Sequence, residues 1–134
     1  MTLNQLKMHN IAPRGIAATC VPTSICFATG ASYYDVEEIL LREQPGVYRP
    51  DHKTNQGVFV NRLLGSARLM LGHKFIRYPF PRVHLRSFLN MIGMGTYLVN
   101  IPRHMFVVKD CEVFDLNNVN LNSLCLEVWK VEKA

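Results

Sequence analysis

Apolar positions along the chain change their spacing once, near Gly95. Before it they recur mostly three and four residues apart, the spacing of one helix face; after it they form short continuous or alternating runs, the pattern of strands. Cys20 to Thr29 is mostly apolar or small, opens after Thr19 and closes at Gly30, which predicts a buried helix with Cys20 in its first turn. Ser32-Tyr33-Tyr34-Asp35 has the form of a capping box, and Val36, Ile39 and Leu40 follow, so a second helix runs to about Glu43 and stops at Pro45-Gly46. From Gly57 onward Val60, Leu63, Leu64, Ala67 and Leu71 share a face, with Gly72 placed to terminate a third predicted helix. His73 to Tyr78 reads as a strand before the Pro79-Phe80-Pro81 break, and Leu85, Phe88, Leu89 and Ile92 as a short amphipathic helix.

After Gly95 the predicted strands are Thr96 to Ile101, Met105 to Lys109, Glu112 to Asp115 and Leu124 to Val131. Pro102-Arg103, Asp110-Cys111 and Asn117-Asn118 separate them, the punctuation of an antiparallel meander. Helices first and sheet second make the fold class α+β. The predicted core includes Ile25, Phe27, Leu63, Leu64, Leu98, Val107 and Leu126. Residues 1–18, around Pro13 and Gly15, suit a lead-in strand or loop more than a helix, and 47–56, with Pro50, Asp51, His52 and Lys53, is loop that either lines a groove or merely connects.

Composition narrows the class. With 134 residues, 49% of them hydrophobic, residues 1–134 suffice for one domain with a real core. The net charge of +5 comes from Lys and Arg that form no run, which permits an acidic partner or nucleic acid without arguing for either. The four cysteines show neither a C-x-x-C pair nor a zinc-like histidine spacing, so free thiols in a reducing, cytoplasmic setting are expected, with no metal and no cofactor. No signal peptide, transit peptide or membrane-spanning run is visible.

Candidate chemistry centres on Cys20. Unpaired N–H groups and the positive dipole end of a helix favour a thiolate, although a free cysteine is more commonly a small buried hydrophobe. A partner histidine is needed, and His104 is the best placed, at the start of a strand that fixes its ring. His9 and His52 lie in irregular segments, and His73 and His84 at element edges. The eleven residues from His104 to Asp115 match the return length of two short strands and a tight turn, which brings Asp115 back to hold the imidazole. Asn117 and Asn118 are alternatives, since an amide oxygen accepts the same N–H bond.

In this order and spacing the chain resembles the papain-like cysteine peptidases, most closely their small members encoded by bacteriophages and bacteria. The resemblance rests on Cys20 opening a helix, Ala28-Thr29-Gly30 with Tyr33 and Val36, Gly57-Val58 through Leu71-Gly72, Gly95-Thr96-Tyr97-Leu98-Val99, His104, Val107-Val108 and Val113-Phe114-Asp115. It covers roughly residues 15–118, and no single motif in it is specific. It implies a papain-like fold, Cys20 as nucleophile, His104 as general base, Asp115 as orienting residue, and a protein or peptide substrate met in the cytoplasm, the host's if the chain is phage-encoded. Two features depart from the family. The nearest upstream amide able to complete an oxyanion hole is Asn10, and Cys111 replaces the turn glycine, from which a changed turn is expected.

Two functions follow from different classes. One is a thiol hydrolase of amide or isopeptide bonds, whose thioester chemistry would equally serve a deamidase or an acyltransferase. The other is a catalytically degenerate binding protein on the same fold, engaging a host protein or nucleic acid through its basic surface and through Tyr33, Tyr34 and Tyr48, taken as exposed.

Overall fold

The helix that opens at Cys20 lies on one face of a six-stranded antiparallel sheet and a shorter helix covers the other, a mixed α+β arrangement. The structure is a computed structural model and describes residues 1–16, 19–48 and 60–134. In chain order the elements are α1 (Leu3–His9), α2 (Cys20–Thr29), α3 (Tyr33–Glu43), α4 (Val60–Leu64), β1 (Ala67–Met70), β2 (His73–Arg77), β3 (Val83–His84), α5 (Leu85–Met91), β4 (Thr96–Ile101), β5 (His104–Lys109), β6 (Glu112–Phe114), β7 (Leu124–Cys125) and β8 (Glu127–Lys133). The large sheet is ordered β1-β2-β8-β4-β5-β6, and β3 pairs with β7 in a separate two-stranded ladder.

Helix α2 ends where Gly30, at φ 75°, turns left-handed and donates its N–H to the Cys26 carbonyl at 2.7 Å. Pro22 is tolerated near its start because the first turn's N–H groups have no intrahelical acceptor. Ser32 caps α3 by accepting the Asp35 N–H at 3.1 Å. In the central strands both faces are buried. Leu98, Val107 and Trp129 pack toward α2, while Tyr97, Val99, Phe106, Val108 and Val128 pack toward Leu85, Phe88 and Ile92. That double burial explains the continuous apolar runs after Gly95.

Several expectations needed correction. The lead-in is helical over α1, because Thr2 and Gln5 form a reciprocal capping box. The third helix stops at Leu64. Ala67 to Met70 instead pairs with β2, and Leu71 (φ 55°) and Gly72 (φ 72°) form the two-residue hairpin loop between them. The last apolar run divides at Leu126, whose N–H bonds the Asn100 carbonyl at 2.8 Å. Its second part, β8, inserts between β2 and β4, so only β4-β5-β6 is a meander. Ile25, Leu63, Leu64, Leu98 and Val107 are buried, whereas Phe27 and Leu126 are only half-buried. Residues 49–56 of the polar loop and 57–59 of the expected third helix lie outside the described residues, as does His52.

Candidate functional site

Helix α2 and strand β5 run side by side, pinned where the Ser24 hydroxyl donates to the Met105 carbonyl at 3.3 Å. This sets the start of the helix, with Cys20, beside the start of the strand, with His104. The β4–β5 hairpin closes at the Ile101–His104 pair, so His104 is held by a ladder on one side and a two-residue turn on the other. Strand β6 pairs Phe114 with Val107; continuing that register one residue sets Asp115 opposite Phe106, on the same sheet face as His104 and diagonal to it. The Asp110-Cys111 turn that allows this return is left-handed at both positions, φ 50° and 66°. Cys111 therefore adopts the glycine-like conformation, contrary to the changed turn expected for a side chain there. Two bonds between Asp110 and Gly95, at 2.8 and 3.0 Å, hold the turn.

His104 Nε2–H donates to Asp115 Oδ1 at 2.7 Å, and the carboxylate is 3% exposed. The Cys20 thiol meets the same ring as a hydrogen-bond and charge partner. Burial alone would lower the imidazole pKa. The bond to Asp115, the contact with Cys20 and the charges of both outweigh it, and His104 is raised to about 10. At neutral pH the ring is therefore an imidazolium between a carboxylate and a sulfur. Burial, and for Cys26 also the charge of Asp35, pushes Cys26 up to about 12, and burial pushes Cys125 up to about 11.

The orienting group in contact with the ring is the Asp115 carboxylate. Asn117 contributes its backbone N–H, 3.3 Å from Asp115 Oδ1, and the Asn118 side chain accepts instead from Gln5 at 3.1 Å. Asp115 Oδ2 is buried and has no hydrogen-bond partner among the described residues. Asn10 is the exposed C-cap of α1, and among the described residues its side chain makes no bond to Cys20.

Sequence reasoning missed two supports. Helix α1 clasps the segment that carries Asp115: Asn4 donates to the Val113 carbonyl at 3.1 Å, and His9 Nε2–H to the Leu116 carbonyl at 2.7 Å. The signal was the Thr2–Gln5 spacing. The second support is a buried polar chain behind Cys20. Thr19 and Tyr33 hydroxyls lie 3.5 Å apart, Tyr33 hydrogen-bonds Tyr48, and Tyr48 donates to Glu37 at 2.8 Å. Burial raises the pKa of both phenols, so both remain protonated donors. Tyr33 and Tyr48 are thus core residues, against their expected role as exposed binding aromatics; of the three only Tyr34 is exposed. Tertiary contact alone reveals this chain.

Among the described residues no three His, Cys, Asp or Glu side chains cluster as metal ligands, and no helix is long and apolar enough to cross a membrane. Comparison with protein-family models, with characterised proteins and with solved structures gave no match.

Proposed function

We propose that this protein is a papain-like thiol hydrolase that cleaves amide or isopeptide bonds in a protein or peptide substrate. The observation that carries the reading is a buried carboxylate bonded at 2.7 Å to one ring nitrogen of His104, with the Cys20 thiol against the same ring. With Nε2 committed to Asp115, the other nitrogen is left for the sulfur. The proton shared between them resides on the ring, and the thiolate attacks the substrate carbonyl. His104 then protonates the departing amine, and afterwards takes a proton from the water that hydrolyses the thioester. Asp115 keeps the ring in one orientation and stabilises its charged form. Backbone N–H groups at the start of α2 are the available donors for the oxyanion, in place of a side-chain amide. An amine in place of water gives acyl transfer by the same steps.

Competition among the four thiols tests this. Labelling near pH 6 with a neutral electrophile such as iodoacetamide suppresses ordinary thiols, which are almost wholly protonated there. Cys20, with the His104 imidazolium against it, is expected to react at least about ten times faster than exposed Cys111. Cys26 and Cys125 should stay unlabelled, and Cys20→Ala should remove the fast phase while leaving the melting temperature within a few degrees. Equal rates at Cys20 and Cys111 overturn the hydrolase reading and leave the binding-protein reading in its place.

A further inference from the structure

The turn between β4 and β5 holds the residue next to His104, and its backbone is strained. Pro102 presets the first central position, and the second position then requires positive φ, where glycine or asparagine is favoured. The chain has Arg103 there, at φ 62°. A side chain in that region costs on the order of 1–2 kcal/mol relative to glycine, and such strain persists only where the surroundings enforce it. Asn100 enforces it here: with its amide turned so that donor meets acceptor, it reaches the His104 and Ile101 carbonyls at 3.1 and 3.3 Å. Arg103 is exposed, and among the described residues no carboxylate pairs with it. Among the described residues, neither packing nor an ion pair therefore accounts for an arginine at this position.

Charge around the site is one-sided. The segments that build it, residues 19–24, 100–106 and 115–118, contain a single acidic residue, Asp115, which is buried and bonded to His104. Arg103, the residue before His104 in the two-residue turn, thus adds an always-charged, fork-shaped donor to the segment that carries the imidazolium. A carboxylate approaching Cys20 meets these positive features and no exposed acid from these segments.

We propose that Arg103 is a specificity-determining residue that selects substrates carrying a carboxylate next to the bond attacked by Cys20. The inference rests on the hydrolase reading and adds the substrate's charge to it. A pair of small reagents that differ only in charge tests it on the full chain. Iodoacetate and iodoacetamide both alkylate by attack of the thiolate on the methylene carbon, forming C–S, breaking C–I and releasing iodide. The helix start and His104 act on both reagents in every variant, so the change in the iodoacetate-to-iodoacetamide rate ratio at Cys20 reports Arg103.

At low salt that ratio should fall about three- to ten-fold in Arg103→Gly and Arg103→Gln, and should be largely kept in Arg103→Lys, the scale expected for one charge at moderate distance in a solvated site. In the wild type the ratio should shrink between about 0.01 M and 1 M salt as the charge is screened. Cys111, in the same molecules, is the reference thiol and should keep its ratio. Arg103→Gly removes the φ penalty, so its melting temperature should hold or rise while the ratio falls; misfolding cannot produce that combination. An unchanged ratio in Arg103→Gly, or an equal loss with both reagents, overturns the inference. If wild-type Cys20 labels no faster than Cys111 with iodoacetamide, the hydrolase reading itself fails and takes the inference with it.

Discussion

The two faces of the sheet are built from the same strands yet differ in what they bury. Against α5, Leu85, Phe88 and Ile92 meet Tyr97, Val99, Ile101, Phe106, Val108 and Val128 in an apolar layer. Under α2 the same strands contribute Leu98, Val107 and Trp129, but the helix brings Thr19, Thr23 and Ser24 into the interior, all at most 2% exposed. Among the described residues the Thr23 hydroxyl has no hydrogen-bond partner there. Burying polar groups costs stability unless each is bonded. The α5 layer thus supplies stability, and the helix face gives some up where α2 carries Cys20.

If that division is right, the faces should respond differently to truncation. Phe88→Ala should lower the unfolding free energy by about 3–5 kcal/mol, the range for a fully buried aromatic, while the Cys20 labelling rate of the remaining folded molecules stays within about two-fold. Denaturant titration beside thiol labelling reads both. A labelling loss in step with stability would show that the faces are not separable.

At the Cys20–His104–Asp115 site the reverse is expected. His104→Ala should slow Cys20 labelling at pH 6 by about 100-fold or more, since it removes the proton acceptor and the positive partner of the sulfur. It should also change the pH dependence of stability. A histidine raised from 6.5 to about 10 stabilises the fold fully below about 6.5, and that contribution disappears as pH rises through about 10. Denaturation midpoints at pH 6 and pH 10.5 should therefore differ more in the wild type than in His104→Ala. Parallel pH profiles would remove the imidazolium from the account.

The smallest effect separates two neighbouring hydroxyls on α2. Ser24→Ala loses the bond to Met105 and should cost about 0.5–1.5 kcal/mol, whereas Thr23→Val removes an unpaired buried hydroxyl and should be neutral or stabilising. A loss from Thr23→Val as large as from Ser24→Ala would mean that Thr23 has a partner in solution.

Much of the site was legible in the sequence because its determinants are local. Gly30 ends α2, Ser32 caps α3, and the two-residue turns at Pro102-Arg103 and Asp110-Cys111 set the β4-β5-β6 register, so strand parity and hairpin length brought Asp115 back to His104. Helix α1 was equally local, but its Thr2–Gln5 cap went unread beside the composition around Pro13 and Gly15. The rest depended on residues far apart in the chain. Ala67 to Met70 carries a helix-like spacing, and only pairing with β2, itself held by β8, makes it a strand. Whether Tyr33 and Tyr48 face water or the core turns on where Thr19 and Glu37 stand to receive their hydroxyls. Turns, caps and side-chain alternation are fixed by residues within a few positions, so the sequence alone determined them; strand order and the burial of polar groups require distant partners, so only the tertiary structure decided them.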